Sequence, residues 1–258
     1  MTTARPRLGV FKLTSCDGCQ LTLLDLEDEL LAIAAGLEIV CFTELTSASD
    51  PAGPFDVVLV EGSVSTPQQR AHIAEIRART RVLVTIGACA TAGGLQALRN
   101  FGDHEEFVRA VYARPDHIQS LRTSTPVADH VRVDLELRGC PIDRGQLREL
   151  ISALLAGRRP NLPQQSVCMQ CKAAGQVCVT VARGIPCLGP VTQAGCGALC
   201  PRYARGCYGC FGPQVAGNPA ALTTRLKVLG QDRAQIQRAF RFINGWAEAF
   251  RGQGEGDA

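Results

Sequence analysis

The chain has 258 residues, 46% of them hydrophobic and 20% charged, with a formal net charge of +3 at pH 7. That composition belongs to an ordinary globular protein of one large domain or two modest ones, and so small a charge excludes a basic arm for nucleic acid or an acidic membrane surface. The anomaly is thirteen cysteines.

In chain order, residues 7–13 (RLGVFKL) predict a first strand that runs into Cys16-Asp17-Gly18-Cys19. Residues 21–35 place leucines near helical spacing and predict one helix, with Gly36 as its C-cap. LEIVCFTEL (37–45) and DVVLVEG (56–62) predict the second and third strands. A helix with proline near its start is expected over 67–79. VLVTIGAC (82–89) predicts a fourth strand, followed by a helical stretch from about Thr91, while 100–129 shows no clear pattern. VRVDLEL (131–137) predicts a fifth strand ending at Arg138-Gly139-Cys140-Pro141. Residues 143–156 form an amphipathic pattern with Asp143 as N-cap.

Strands that alternate with helices, several of them near-continuous apolar runs, imply the α/β class: a flavodoxin-like, doubly wound parallel sheet covered on both faces. Ligands of such sheets sit beyond the C-terminal ends of the strands. Cys16 and Cys19 follow strand one, Glu61 and Gly62 close strand three, Cys89 follows strand four and Cys140 follows strand five. Four thiols far apart in sequence are therefore expected at one sheet edge. Cys41 lies inside a strand between Val40 and Phe42 and reads as core packing.

Residues 158–165 (RRPNLPQQ) read as a linker. The expected division is a flavodoxin-like domain over 1–157 and a small, loop-rich domain over 158–258. The second contains Cys168, Cys171, Cys178, Cys187, Cys196, Cys200, Cys207 and Cys210, amid glycine and proline and with few large apolar residues. After Gly212-Pro213 the chain is polar and small to about residue 230. Residues 232–250 predict one closing helix with Ile236, Phe240, Ile243, Ala247 and Phe250 near one face. The tail 252–258 is expected to be disordered.

The N-terminal stretch shows no apolar signal region and no twin-arginine pair, and no apolar run approaches the roughly 18–20 residues that span a bilayer. The chain therefore reads as cytoplasmic, where thiols stay reduced and metal ligation outweighs disulfides. Structural zinc is one reading of the three CxxC pairs, Cys16/Cys19, Cys168/Cys171 and Cys207/Cys210. Against it, the four histidines (His72, His104, His117 and His130) all lie outside the cysteine-rich stretch. Iron–sulfur clusters suit the pattern better: they are held by Cys thiolates, with CxxC arms and Cys-Pro ends such as those made by Pro141 and Pro201. With Cys41 set aside, twelve thiols divide into three sets of four, enough for electrons to hop. No nucleophile–base pair stands at a recognisable spacing. The glycine stretch 87–94 is neither GxGxxG nor a Walker A loop, so the catalytic end is expected on a partner.

The motifs SCDGCQ after the first strand, VEGSV after the third, GACA after the fourth and RGCPID after the fifth resemble, in that order, the small subunit of nickel–iron hydrogenases. The variant resembled is the cytoplasmic sulfhydrogenase delta-subunit type, within the superfamily of the 20 kDa subunit of NADH:ubiquinone oxidoreductase. The resemblance implies that Cys16, Cys19, Cys89 and Cys140 hold a proximal [4Fe–4S] cluster beside the Ni–Fe centre of a large subunit. Periplasmic members have a His where Cys168 stands and a Pro where Cys200 stands. By the same alignment Cys168, Cys171, Cys178 and Cys187 hold a distal [4Fe–4S] cluster, and Cys196, Cys200, Cys207 and Cys210 a medial one. The implied enzyme is an H2:NAD(P)+ oxidoreductase. Its implied partners are a large subunit, a subunit binding FAD and NAD(P), and a ferredoxin-like iron–sulfur subunit, with no nucleic acid and no membrane span. The alternatives are a coenzyme F420- or ferredoxin-linked hydrogenase, a complex I-like electron-transfer subunit, and a zinc-stabilised module without redox function. The complex I family has a tandem Cys-Cys motif, whereas Asp17 and Gly18 separate the first pair here. Glu61 matches a family Glu near the proximal cluster, although a strand-end carboxylate can simply be solvated or cap a helix. Gly62 and Gly139 are expected to permit close backbone approach. Lys172 is either a solvated surface lysine or an attraction for an electron partner.

Overall fold

A computed structural model of the chain describes residues 5–47 and 49–255. Among these residues five parallel strands, β1 (Arg7–Lys12), β2 (Glu38–Phe42), β3 (Phe55–Glu61), β4 (Thr80–Ile86) and β5 (Leu135–Leu137), form one sheet in the order β2-β1-β3-β4-β5. The strand order reverses between β1 and β3, so the connections wind to opposite sides and both faces are covered. Side chains alternate along each strand and feed two cores. Val10, Leu59, Val84 and Leu137 pack on one face, and Phe11, Val58, Val60 and Leu83 on the other. The expected flavodoxin-like, doubly wound sheet is what the chain forms. Cys41 is 3% exposed within the second core and accepts a hydrogen bond from Ser49 at 3.2 Å.

The first predicted helix is two: α1 (Gly18–Leu24) and α2 (Asp28–Gly36). Glu27 between them takes a φ of 51°, and Leu26 turns into the core. Gly36 is the last helical residue and Leu37 the cap. Helix α3 (Pro67–Ala78) begins as expected, with proline at its start and a reciprocal capping box between Thr66 and Gln69. Helix α4 (Gly87–Ala92) starts directly at the end of β4, earlier than expected, and Gly93 stops it with a left-handed φ of 83°. A 3₁₀ turn (Leu95–Phe101) leads into the patternless stretch, which holds α5 (His104–Val111), capped by Asp103. Strand β5 is shorter than expected: at Asp134 the amide still donates to Leu83 O at 2.9 Å, but the side-chain carboxylate, not the backbone carbonyl, accepts from Leu83 N and also from Arg77, at 2.8 and 2.6 Å. Helix α6 (Arg144–Leu155) is capped by Asp143, which accepts from Gln146 N at 3.0 Å.

The chain divides into two compact units, Met1–Leu162 and Pro163–Ala258. The second contains α7 (Val167–Ala173), α8 (Val179–Arg183), α9 (Leu199–Arg202), α10 (Pro219–Val228), α11 (Arg233–Phe240) and α12 (Glu248–Arg251). Its core is Leu188, Val191, Leu226, Ile236, Phe240 and Phe250. The last three helices thus supply the apolar mass that the cysteine loops lack. Helix α10 occupies the stretch that reads as polar and small, where no element is predicted; Asn218 caps it by accepting from Ala221 N at 2.9 Å, and Pro219 opens it. The single closing helix is broken into α11 and α12, because Asn244 turns inward to donate to Gly209 O at 2.8 Å and Cys210 O at 3.0 Å. The tail folds back as far as Gly254, whose carbonyl accepts from Gln237 at 3.1 Å. Residues 256–258 of that expected tail lie outside the described residues. No helix among the described residues is long and apolar enough to cross a membrane.

Candidate iron–sulfur cluster sites

In the first unit the C-terminal strand ends carry the thiols. The chain leaves β1 through Thr14, whose amide donates to Ser63 O at 3.1 Å, and enters α1 at Asp17. Asp17 takes a left-handed φ of 67° and pairs with Lys12, a conformation that a short polar side chain tolerates. Helix α1 presents Cys19, which is buried, while Cys16 just before it is exposed. Helix α4 presents Cys89 immediately beyond β4, and Cys140 follows β5.

These four thiols share one electrostatic neighbourhood. The charge of Cys19 is opposed by Cys89 and Cys140, that of Cys89 by Cys140 and Cys16, and that of Cys140 by Cys16. Burial pushes Cys89 up to about 11 and raises Cys19 and Cys140 as well. Burial disfavours the thiolate at Cys19, Cys89 and Cys140; a bound metal makes a coordinating thiol deprotonate outright. The backbone is also shaped around the sulfurs. A β-carbon on Gly87 would stand 2.4 Å from Cys19 Sγ, and one on Gly94 2.6 Å from Cys89 Sγ. The glycine stretch 87–94 therefore makes room for thiols.

Glu61 is 2% exposed, so the solvated reading fails. Its carboxylate accepts from Cys19 N and Gln20 N, both at 3.2 Å, and from Gln20 Nε2 at 3.1 Å. It caps α1 and thereby touches the backbone of a thiol-bearing residue. Burial raises its pKa, and those three hydrogen bonds oppose the rise. Gly62 has a φ of +99°, and a β-carbon there would meet the Leu13 and Thr14 backbone at 2.8 Å. Gly139, at φ 140°, accepts from Ala88 N at 2.7 Å. Both glycines allow the close backbone approach expected of them. Sequence reasoning missed Gln96. Its Oε1 lies 3.4 Å from Cys89 Sγ and its Nε2 donates to Thr14 O at 3.1 Å, tying the loops of two thiols together. No local pattern marks such a residue.

In the second unit α7 carries Cys168 and Cys171 on one turn, Cys178 precedes α8, and Cys187 follows it. The charge of Cys171 is opposed by Cys168, Cys187 and Cys178, and that of Cys187 by Cys168 and Cys178. Cys187 and Cys196 both act on Cys207 and on Cys200, and burial pushes Cys207 up to about 12. Asn244 holds the Cys210 carbonyl. Backbone amides also point at sulfur: Gly189 N and Cys207 N donate to Cys187 Sγ at 3.4 and 3.2 Å, and Gly209 N to Cys207 Sγ at 3.4 Å. Amide donors to thiolate sulfur are the feature by which a protein tunes an iron–sulfur centre. Lys172 is exposed. Among the described residues no three His, Cys, Asp or Glu side chains form a group that could hold a single metal ion. A structural zinc ion needs four donors within about 2.3 Å of one point, whereas a cluster spreads its ligands around a larger body. The all-thiol donor sets, their glycine cradles and the amide-to-sulfur bonds fit clusters.

A doubly wound α/β unit with thiols at its strand ends, followed by a cysteine-rich unit, defines the class of cluster-holding redox subunits. The family profile described as NADH ubiquinone oxidoreductase, 20 Kd subunit, matches residues 16–154, and the chain belongs to that family. It is 37% identical over 240 residues to sulfhydrogenase 2 subunit delta of Pyrococcus furiosus, covering 93% of this chain and all (100%) of that one. It is 33% identical over 240 residues to one of the vhu subunits of the F420-non-reducing hydrogenase of Methanocaldococcus jannaschii, covering 82% and 83% of the two chains. A crystal structure of NAD+-reducing [NiFe]-hydrogenase in the H2-reduced state matches with a TM-score of 0.58 and 29% identity, over 62% of this chain and 96% of that one. The likeness to hydrogenase small subunits read from the four motifs is borne out.

Proposed function

We propose that the chain is the electron-transfer small subunit of a cytoplasmic nickel–iron hydrogenase and holds three [4Fe–4S] clusters. Cys16, Cys19, Cys89 and Cys140 ligate the proximal one; Cys196, Cys200, Cys207 and Cys210 the medial one; and Cys168, Cys171, Cys178 and Cys187 the distal one. The observation that carries this reading is the convergence of thiols in the first unit: Cys16, Cys19, Cys89 and Cys140 follow three different strands and act on one another's charge. When bound, such clusters supply reversible one-electron storage.

The chain's own residues supply the surroundings. Burial of Cys19 and Cys207 keeps water from two of the thiolates. Gly189, Cys207 and Gly209 donate amide hydrogens that stabilise negative charge on sulfur. Cys16 is exposed and leaves the first set open toward a large subunit bearing the Ni–Fe site. The complete reaction is H2 + NAD(P)+ → NAD(P)H + H+, with a flavin-binding subunit and a ferredoxin-like subunit accepting the electrons. The match to an NAD+-reducing hydrogenase favours this acceptor.

The test is anaerobic purification of the chain with its partners. About twelve irons and twelve sulfides per chain are expected, with three reduced-cluster signals under H2. A colourless, zinc-loaded protein, or about four irons per chain, would reject the reading.

A further inference from the structure

We infer that the hydrogen bond from the Cys207 amide to Cys187 Sγ is the through-bond route by which an electron crosses between the two cysteine sets of the second unit, and that Gly206 keeps this route short. The inference rests on the proposal that each set holds a cluster.

Cys187 and Cys207 fall in different sets, yet the Cys207 nitrogen lies 3.2 Å from Cys187 Sγ. From that sulfur the path crosses one hydrogen bond and then only the N–Cα, Cα–Cβ and Cβ–Sγ bonds of a single residue before it reaches the other set's thiolate. A second bond clamps the same two segments side by side, from Leu188 N to Cys207 O at 3.1 Å. Cys187 is thus the member of its set that meets the backbone of the other.

Both ends are built alike. Cys187 and Cys207 each receive an amide hydrogen from the glycine two residues later, Gly189 and Gly209. Cys187 alone of the pair takes a second one from across the gap. The closeness of approach depends on Gly206. A β-carbon there would stand 1.8 Å from Pro186 O and 3.3 Å from Cys187 Cα. Any larger residue must push the two segments apart and lengthen the hydrogen bond next to it.

The step moves one electron from the centre ligated by Cys207 to the centre ligated by Cys187. The first is oxidised by one electron and the second reduced by one; no bond forms or breaks and no proton moves. The electron originates in the partner's oxidation of H2.

The experiment uses the purified complex in two forms. In the parent protein grown with 15N-cysteine, pulsed EPR of the cluster signal that Cys178→Ala abolishes should show a 15N hyperfine coupling from the Cys207 amide. The same coupling should vanish in Gly206→Ala. Freeze-quench EPR after exposure to H2 should then show reduction of that cluster slowed at least tenfold in Gly206→Ala, with the other two reduced at the parent rate and iron content unchanged. Absence of the coupling in the parent, or a Gly206→Ala complex of full iron content that transfers at the parent rate, would overturn the inference while leaving the three-cluster reading intact. A parent complex with far fewer than about twelve irons would remove that reading, and the route with it.

Discussion

Glu61 at the end of β3 accepts a hydrogen bond from the backbone amide of Cys19 at 3.2 Å. The same buried carboxylate takes both nitrogens of Gln20, so one side chain of the sheet anchors the first turn of the helix that presents the Cys19 thiol. Glu61→Gln keeps the shape but turns one acceptor into a donor, which faces an amide N–H and leaves it unpaired. A buried donor without a partner costs about 1–3 kcal/mol. The variant should lose that much stability in a chemical-denaturation series. Parent-like stability would mean that the capping bonds contribute nothing net.

Gly87 tests the cradle of the first set. Its φ is +84°, and a β-carbon would lie 2.4 Å from Cys19 Sγ. Gly87→Ala therefore adds left-handed strain of about 1–2 kcal/mol and displaces the Cys19 sulfur. Iron should fall by about four atoms per chain, the content of one cluster. Gly157 is the control: its φ is +64° and nothing lies within 4 Å of an added β-carbon. Gly157→Ala should show the strain without the iron loss. Equal iron content in the two variants would contradict the cradle.

Which features were legible in the sequence follows from the range over which their causes act. The strands were legible because their apolar runs are local, as in Val57–Val60 of β3. So was the start of α3, since Thr66, Pro67 and Gln69 carry the capping signal within four residues. The twelve thiols could be singled out as candidates because their chemistry travels with the residue type. The break after α1 was not: leucine spacing runs through it, while Leu26 is buried in the core and Glu27 takes a positive φ. The glycines around α4 concealed a helix because they serve sulfurs from elsewhere in the chain. Gln96 was invisible because its partners, Cys89 and Thr14, are chosen by the fold. Helix α10 could have been found, since Asn218-Pro219 is an N-terminal signal that composition alone obscured.

Asn244 links the closing helices to a cysteine loop. It is 3% exposed and donates to Gly209 O and Cys210 O. Asn244→Leu fills the volume but removes two hydrogen bonds, while Gly209 O keeps the Gly212 amide at 2.9 Å; the loss is about 0.5–1.5 kcal/mol for each bond. It also releases the turn that presents Cys210. The expected outcome is a lower thermal midpoint together with loss of one cluster signal in EPR. Loss of stability with all three signals intact would assign Asn244 to packing alone.

Glu149 supplies a pH dependence of known sign. It accepts a two-pronged contact from Arg158 at 2.6 and 2.9 Å and the Asn161 amide at 2.7 Å, which fastens the chain leaving α6. The Arg158 guanidinium foremost, and then the Asn161 N–H, hold its carboxyl at about 2, down from 4.5. A folded pKa below the unfolded one adds stability that is fully present above about pH 4.5 and is lost as the pH falls toward 2. Glu149→Gln, which cannot ionise, should therefore differ from the parent most at neutral pH, and the gap should close as acid is added. Urea midpoints of both proteins, compared at a series of pH values, measure this directly. High salt should narrow the gap at neutral pH, because the pair is open to solvent and screened. A gap that widens on acidification would place the dominant titrating group elsewhere in the chain.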